Sequence, residues 1–315
     1  MEGSYPFKTG LVIYSSYPEV RSDPDLLLQR LALVARDTTW DAVEVQYVAD
    51  TSYWPKIQRI IQDAGMDVIA CAGPACVRLG WDLSSLDPAI RKAAVTGMQL
   101  AIDFAYSIGS RALVYMSGKD PGNGRKEEAL NALRTSLAAL SDYACQHAVD
   151  YRLVLTLEPA DRDVQLKRLI GPTADAVAAV AEAREQGMLT DVTLDMSHVA
   201  LLGETFEEAA GLLGGMVTHA HVANTLVCDP SRPEYGDQHP RFGLPGSEFG
   251  LPDITRFLDT VQSRCFSKAG PFPYGKPVVS LEVRPSADAD PDILLSGAKR
   301  AFFSGLAGST LQRGD

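Results

Sequence analysis

Short apolar runs alternate with longer amphipathic stretches along the whole chain. Runs at residues 10–15, 43–48, 67–72, 112–116, 153–158, 191–195, 216–224 and 278–283 have the length and composition of strands. Helical patterns lie between them, several with readable ends. Asp23-Pro24 precedes an apolar-rich stretch at 26–34, and Asp87-Pro88 precedes a face striped by Ile90, Ala94, Gly97, Ala101, Phe104, Ala105 and Ile108. Aspartate as N-cap with proline in the first turn starts a helix well. Gly65 closes the helix expected at 54–64, and Gly109 closes the striped one. Thr205 with Glu208 three residues on is a capping-box pattern. Further helices are expected near 126–147, 173–185, 251–261 and 293–306.

Eight strands and eight helices in strict alternation predict an α/β chain folded as a (β/α)8 TIM barrel, a single domain over 1–315, with its chemistry at the C-terminal strand ends. The alternative is an open doubly wound sheet. It would not require the count to stop at eight, and no GxGxxG turn follows the first strand. Residues 225–250 form one long loop rich in Pro, Gly, Asp and His. Loops beyond about 12–15 residues in a compact domain are usually functional or disordered.

The strand ends carry the chemistry. Period-two alternation turns Glu158, Asp195, His221 and Glu282 inward on four consecutive strands, at one height. One layer below stand Thr156, Thr193, His219 and Ser280, while Leu157, Leu194, Ala220 and Leu281 face outward. A structural barrel interior would put Val, Ile and Leu in those layers. Three carboxylates sharing a small space need neutralising, and a paired-charge cluster is the bland reading. A polar layer beneath them is instead what a metal site uses to orient its ligands. Three carboxylates and an imidazole suit one divalent ion that takes hard oxygen ligands, Mn2+ or Mg2+ first, with Co2+ or Zn2+ also accommodated. Such an ion, chelated by the carbonyl and hydroxyl of a keto-sugar, acidifies the carbon between them. Glu158 and Glu282, on opposite sides of the ring of strands, are placed to move that proton.

Around Glu158-Pro159, Asp195-Met196-Ser197-His198, His221-Val222-Ala223-Asn224, Asp237-Gln238-His239 and Glu282, the chain resembles the xylose-isomerase-like barrel superfamily, most strongly over about 150–285. That group holds sugar isomerases, ketose 3-epimerases, inosose and dehydroshikimate dehydratases, the barrel subunit of C-glycoside deglycosidases and endonuclease IV. The resemblance implies the Glu158, Asp195, His221, Glu282 metal set, with Glu158 and Glu282 as acid and base in the epimerase branch. It leaves the reaction open between a sugar isomerase or epimerase and a lyase using the same enolisation. Endonuclease IV adds histidines at earlier strand ends, and this chain has no histidine before His147. His198, Asp237 and His239 match that branch's spacing, so a second metal stands beside their reading as substrate contacts. Asn224 is expected against substrate or as a strand cap. Arg162, Arg284 and Arg241 are expected to bind an oxyanion or to form surface ion pairs. Trp54, Trp81, Phe242 and Phe249 are expected to wall the pocket or to pack in the core.

Bulk properties narrow the partners. A net charge of −11 disfavours nucleic acid and anionic membranes, which select basic surfaces. Five scattered cysteines without a CxxC pair suit reduced thiols in the cytoplasm. The first eight residues have no apolar signal core, and no segment approaches 18 apolar residues. The expected partner is a small sugar or sugar-derived molecule, with a homo-oligomer or a small partner subunit left open. A non-catalytic sugar-binding barrel is the remaining reading, and it would need a broken metal quartet.

Overall fold

The period-two runs become eight parallel strands: β1 (Lys8–Val12), β2 (Ala42–Gln46), β3 (Asp67–Cys71), β4 (Ala112–Tyr115), β5 (Val154–Leu157), β6 (Thr190–Asp195), β7 (Val217–Val222) and β8 (Val278–Leu281). In this computed structural model, which describes residues 5–122 and 124–310, the strands close into a barrel in chain order. Residues 1–4, half of the segment read for a leader, lie outside the described residues.

The helix ends form as the sequence dictates. The Asp23 carboxylate accepts from the backbone N–H groups of Asp25 and Leu26 at the head of helix Pro24–Val34. Asp87 does the same for Ala89 and Ile90 at the head of Pro88–Ile108. Gly65 and Gly109 end their helices at φ 64° and 82°, where a Cβ would be strained. The Thr205–Glu208 capping box is present in both directions. Three short helices interrupt the strict alternation: Ile13–Ser16, Gly73–Arg78 and Met196–Leu201. The first and third follow β1 and β6 directly, and the second follows β3 after Ala72. This is why β1 stops at Val12 rather than running to residue 15.

The chain forms two compact units, one holding Glu44–Thr193 and the other the chain before and after it. In the Glu44–Thr193 unit, Leu113 of β4 is in register with Ala70 of β3 and Leu155 of β5, and Leu157 of β5 with Val192 of β6. In the other unit, Ser280 of β8 is in register with Gly10 of β1 and His221 of β7. A Cβ at Gly10 would lie 2.4 Å from the Ser280 Oγ, so the glycine leaves room for that hydroxyl.

Inward side chains meet out of register. Thr156 pairs with Asp191, yet its Oγ1 lies 2.8 Å from that of Thr193, two residues further on. His219 pairs with Val278, yet its Nε2 lies 3.4 Å from the Ser280 Oγ. A two-residue step per strand is what strand tilt in a closed barrel produces. The expected polar layer is therefore present, as a Thr156–Thr193 pair in one unit and a His219–Ser280 pair in the other. The outward Leu157, Leu194, Ala220 and Leu281 are all buried.

Candidate active site and metal centre

Asp195 is the last residue of β6 and the N-cap of helix Met196–Leu201. Its two oxygens have different tasks. Oδ1 accepts from the Ser197 N–H and hydroxyl, both at 2.5 Å, and from the His198 N–H at 3.2 Å. This cap, at the positive end of the helix, fixes the carboxylate plane. Oδ2 is buried and accepts no hydrogen bond from the described residues. It faces the His221 Nδ1 at 3.3 Å.

From there a buried series of acids and imidazoles continues. The His221 Nδ1 is also 3.1 Å from the Glu282 Oε2. The other Glu282 oxygen accepts from the Ser15 hydroxyl at 2.7 Å and faces the His239 Nε2 at 3.4 Å. The same His239 nitrogen lies 2.9 Å from the Asp237 Oδ1, which the His198 Nε2 approaches at 3.1 Å. His198, Asp237 and His239 offer one ligand atom each within 4.8 Å of one another. Asp195, His198, His221, His239 and Glu282 are all at most 5% exposed.

The electrostatics follow from this alternation. Burial would raise the Asp195 carboxyl, but His198, His221 and His239 outweigh it and hold the group well below the usual carboxylate range. Asp237 and Glu282 are lowered in the same way, each against its burial, with His239 the strongest opposing group. Burial would lower His239, and Glu282, Asp237 and Asp195 together raise it instead. The acids are thus held ionised. A buried carboxylate oxygen without a donor is costly, and a cation removes that cost. Oxygen donors with one or two imidazoles fit a divalent ion, so the residues present suit the metal that the strand-end pattern implies.

The other predicted residues fall in three places. Glu158 stands one residue beyond β5 in the Glu44–Thr193 unit and is 4% exposed. Arg162, in the same unit, is tied up in ion pairs with Asp175 at 2.5 Å and Asp120 at 3.4 Å. Of its two expected uses, the ion pair is the one formed. Asn224 is fully buried, and its amide holds the long loop. Its Nδ2 donates to the Arg241 carbonyl and the Ser247 Oγ, and its Oδ1 accepts from the N–H groups of Thr225 and Phe249.

Arg284 also holds this loop. Its Nη1 donates to the Asp237 carbonyl at 3.0 Å and the Gln238 Oε1 at 3.1 Å, and its N–H donates to the His239 carbonyl. His239 adopts φ 47°, unusual for a residue with a Cβ, and Arg284 helps to keep it there. Arg241 is exposed, with a guanidinium contact to the Gly243 carbonyl. The four aromatics divide similarly: Trp54 packs on Phe104, Trp81 on Tyr47 and Phe249 on Phe206. Phe242 lines a separate cavity with Leu251 and Arg300.

Sequence reasoning passed over Ser15, Ser197 and Glu44. Ser15 closes the first apolar run, and Ser197 lies between two named ligand candidates and is 3.3 Å from the His239 Nδ1. Glu44 is fully buried in β2, where Val43 and Val45 flank it. An acid in an alternating strand was the signal that could have found it.

Comparison with known proteins agrees with the fold. A family model described as xylose isomerase-like TIM barrel matches residues 33–269. No curated protein matches the chain in sequence. Among solved structures, a 3-keto-D-glucoside 4-epimerase from E. coli, YcjR, superposes with a TM-score of 0.66 at 16% identity, over 96% of this chain and 98% of that one. D-psicose 3-epimerase in the presence of D-fructose gives 0.65 at 16% identity, over 98% and 100%. The IOLI protein with a binding zinc atom gives 0.69 at 15% identity, over 96% and 98%. With a barrel of eight strands and a family match over most of its length, the chain belongs to the xylose isomerase-like TIM barrel family.

Proposed function

We propose that the chain is a divalent-metal-dependent isomerase or epimerase of a sugar or keto-sugar, working by proton transfer at the carbon next to a carbonyl. The observation that carries this reading is the buried series Asp195, His221, Glu282, His239, Asp237, His198, in which the Asp195 Oδ2 accepts no hydrogen bond from the described residues. Two of the similar structures are sugar epimerases by name, and a third holds zinc.

In this proposal Asp195, His221 and Glu282 would hold the ion, with Glu158 as the fourth ligand that the strand-end pattern implies. Mn2+ is the preferred ion. When bound, it supplies Lewis acidity that makes the α-proton of a chelating keto-sugar removable near neutral pH. The rest is the work of the chain's own groups. One of Glu158 and Glu282 takes the α-proton on a carboxylate oxygen, and the other returns a proton to the sugar. The Ser15 hydroxyl holds the Glu282 Oε1 in place. His198 and His239, fixed by Asp237 between them, are positioned to hydrogen-bond sugar hydroxyls.

The test is incubation of the metal-loaded protein with a panel of ketoses and keto-sugars in D2O. Deuterium should enter the α-carbon without net loss of water or of a substituent. Formation of an enone or release of an aglycone would assign the chain to the lyases that share this enolisation.

A further inference from the structure

Just past β4, Lys119 forms an antiparallel bridge with Arg168, which lies in the segment following β5. The Leu169 N–H donates to the Gly118 carbonyl at 2.9 Å, and the Asp120 N–H donates to the Lys167 carbonyl at 3.0 Å. Lys119 and Arg168 stand opposite each other between these two bonds. The Ile170 N–H donates to the Ser117 Oγ at 2.9 Å, and the Ser84 hydroxyl donates to the Lys119 carbonyl at 3.2 Å, which pins the bridge from both sides. Gly118 permits this packing, because a Cβ there would collide with the Asp82 carboxylate and lie 2.7 Å from the Ser84 backbone nitrogen. Directly opposed residues of an antiparallel pair project to one side, so the bridge presents two cations together.

Neither cation forms an ion pair with any described residue. Arg168 is only 3% exposed. Its Nη1 reaches the Ser117 carbonyl at 3.4 Å, the long end of a hydrogen bond, and its buried Nε has no acceptor among the described residues. The acids around it are engaged or neutral. Asp120 pairs with Arg162 at 3.4 Å, and the Asp82 Oδ1 accepts from the Ser84 N–H and hydroxyl. Burial pushes the Cys76 thiol up to about 11, so it stays protonated despite Arg168. At a net charge of −11 the chain has carboxylates in excess, and still places none against this pair. A buried unpaired charge is costly, and so are like charges directly opposed; one dianion held between the two would remove both costs.

We infer that Lys119 and Arg168 form a binding site for a phosphate group at the ends of β4 and β5. A phosphate carries about −1.5 to −2 charges near pH 7 and three acceptor oxygens, which matches one guanidinium fork and one ammonium. A carboxylate would balance only one of the two cations. Phosphate sites in barrels of this kind commonly follow the seventh and eighth strands, so the rim of β4 and β5 is a different place. Free phosphate and the phosphate of a small ester present the same oxygens. The site uses none of the groups assigned to proton transfer, so it stands or falls separately from the keto-sugar chemistry.

The test is calorimetric titration of the desalted full chain, in chloride buffer, with inorganic phosphate and with glycerol 3-phosphate. At least one probe should bind saturably with a dissociation constant of about 1 mM or below. Arg168→Met should weaken that binding at least about tenfold and Lys119→Met about threefold, the losses expected for charged partners in a buried and an exposed setting. Tighter binding of glycerol 3-phosphate would support a site for a phosphate ester, and equal or tighter binding of inorganic phosphate a site for the free ion. Urea denaturation separates this role from a merely structural one. In phosphate-free buffer Arg168→Met should match or exceed the wild-type midpoint, because it removes an unpaired buried charge, and it should lose the rise that phosphate gives the wild type. If Arg168→Met instead lowers that midpoint, the exposed Lys119→Met decides alone, and unchanged affinity there overturns the site. No saturable binding of either probe by the wild type, or wild-type affinity in both variants, would also overturn it.

Discussion

Replacing Asn224 separates the loop's attachment from the site's chemistry. The side chain is fully buried and makes four hydrogen bonds of 2.8–2.9 Å, to Thr225, Arg241, Ser247 and Phe249. At about 1 kcal/mol each, their loss in Asn224→Ala has a ceiling of about 4 kcal/mol. The loop can instead detach locally and let water satisfy the stranded groups, which limits the global loss to roughly 2 kcal/mol. The same 2 kcal/mol raises the open population of the loop about 30-fold, and proteolysis of an opening segment tracks that population. Arg241 is exposed and is followed by Phe242, whereas Arg232 is followed by Pro233, so trypsin has one favourable bond in this loop. Cleavage after Arg241 should accelerate about 30-fold, read by mass spectrometry of timed digests, with the urea midpoint lowered. Asn224→Asp keeps the volume but sets a carboxylate oxygen against the Arg241 carbonyl, and it should open the loop as well. If Asn224→Ala and Asn224→Asp both cut within about threefold of the wild-type rate, Asn224 is packing rather than pinning the loop.

Other outcomes follow from single contacts. Glu282→Gln should keep the fold and lower α-proton exchange by roughly 10²–10⁴-fold, the usual contribution of a general acid or base, measured by deuterium incorporation. Gly10→Ala puts a Cβ 2.4 Å from the Ser280 Oγ and should cost about 1–3 kcal/mol in urea denaturation. Ser280→Ala in the same chain should recover much of that loss, and an additive pair would show that the two residues do not share the space. Cys71, Cys76 and Cys265 are buried, and burial pushes the Cys76 thiol up to about 11 and the Cys265 thiol up to about 12. Iodoacetamide at pH 7.5 should therefore label only Cys145 and Cys228 in the folded protein and all five after denaturation.

Much of this was legible in the sequence because barrel strands alternate with period two and their helices begin at Asp-Pro and end at glycine. Asp195 and Glu282 were found as acids at strand ends, and His221 by its alternation with Ala220 and Val222. The polar pairs beneath them were also readable, although the two-residue step that brings Thr156 to Thr193 appears only in the closed barrel. Helices of four to six residues, such as Ile13–Ser16 and Met196–Leu201, are too short to display a 3.6-residue period. Other predicted side chains have partners distant in sequence. Asn224 reaches Ser247 and Phe249, Arg162 meets Asp120 and Asp175, and Arg284 holds the backbone of Asp237 and His239. No local pattern announces such pairings. Strand-end position suggests ligand contact, and the hydrogen bonds these groups make to distant partners are visible only in the folded chain.

The claim that the buried acids and imidazoles hold a divalent ion for α-proton transfer is tested most directly by solvent exchange under control of the metal. The protein is stripped with a chelator, divided, and given Mn2+ or buffer before incubation with the keto-sugar panel in D2O. Deuterium should enter the α-carbon of at least one keto-sugar in the Mn2+ sample, should be absent from the stripped sample, and should be lost with Mn2+ present in Asp195→Asn. Equal exchange in the stripped and Mn2+ samples, or no exchange with any keto-sugar after Mn2+, Mg2+, Co2+ and Zn2+ have each been supplied, would contradict it.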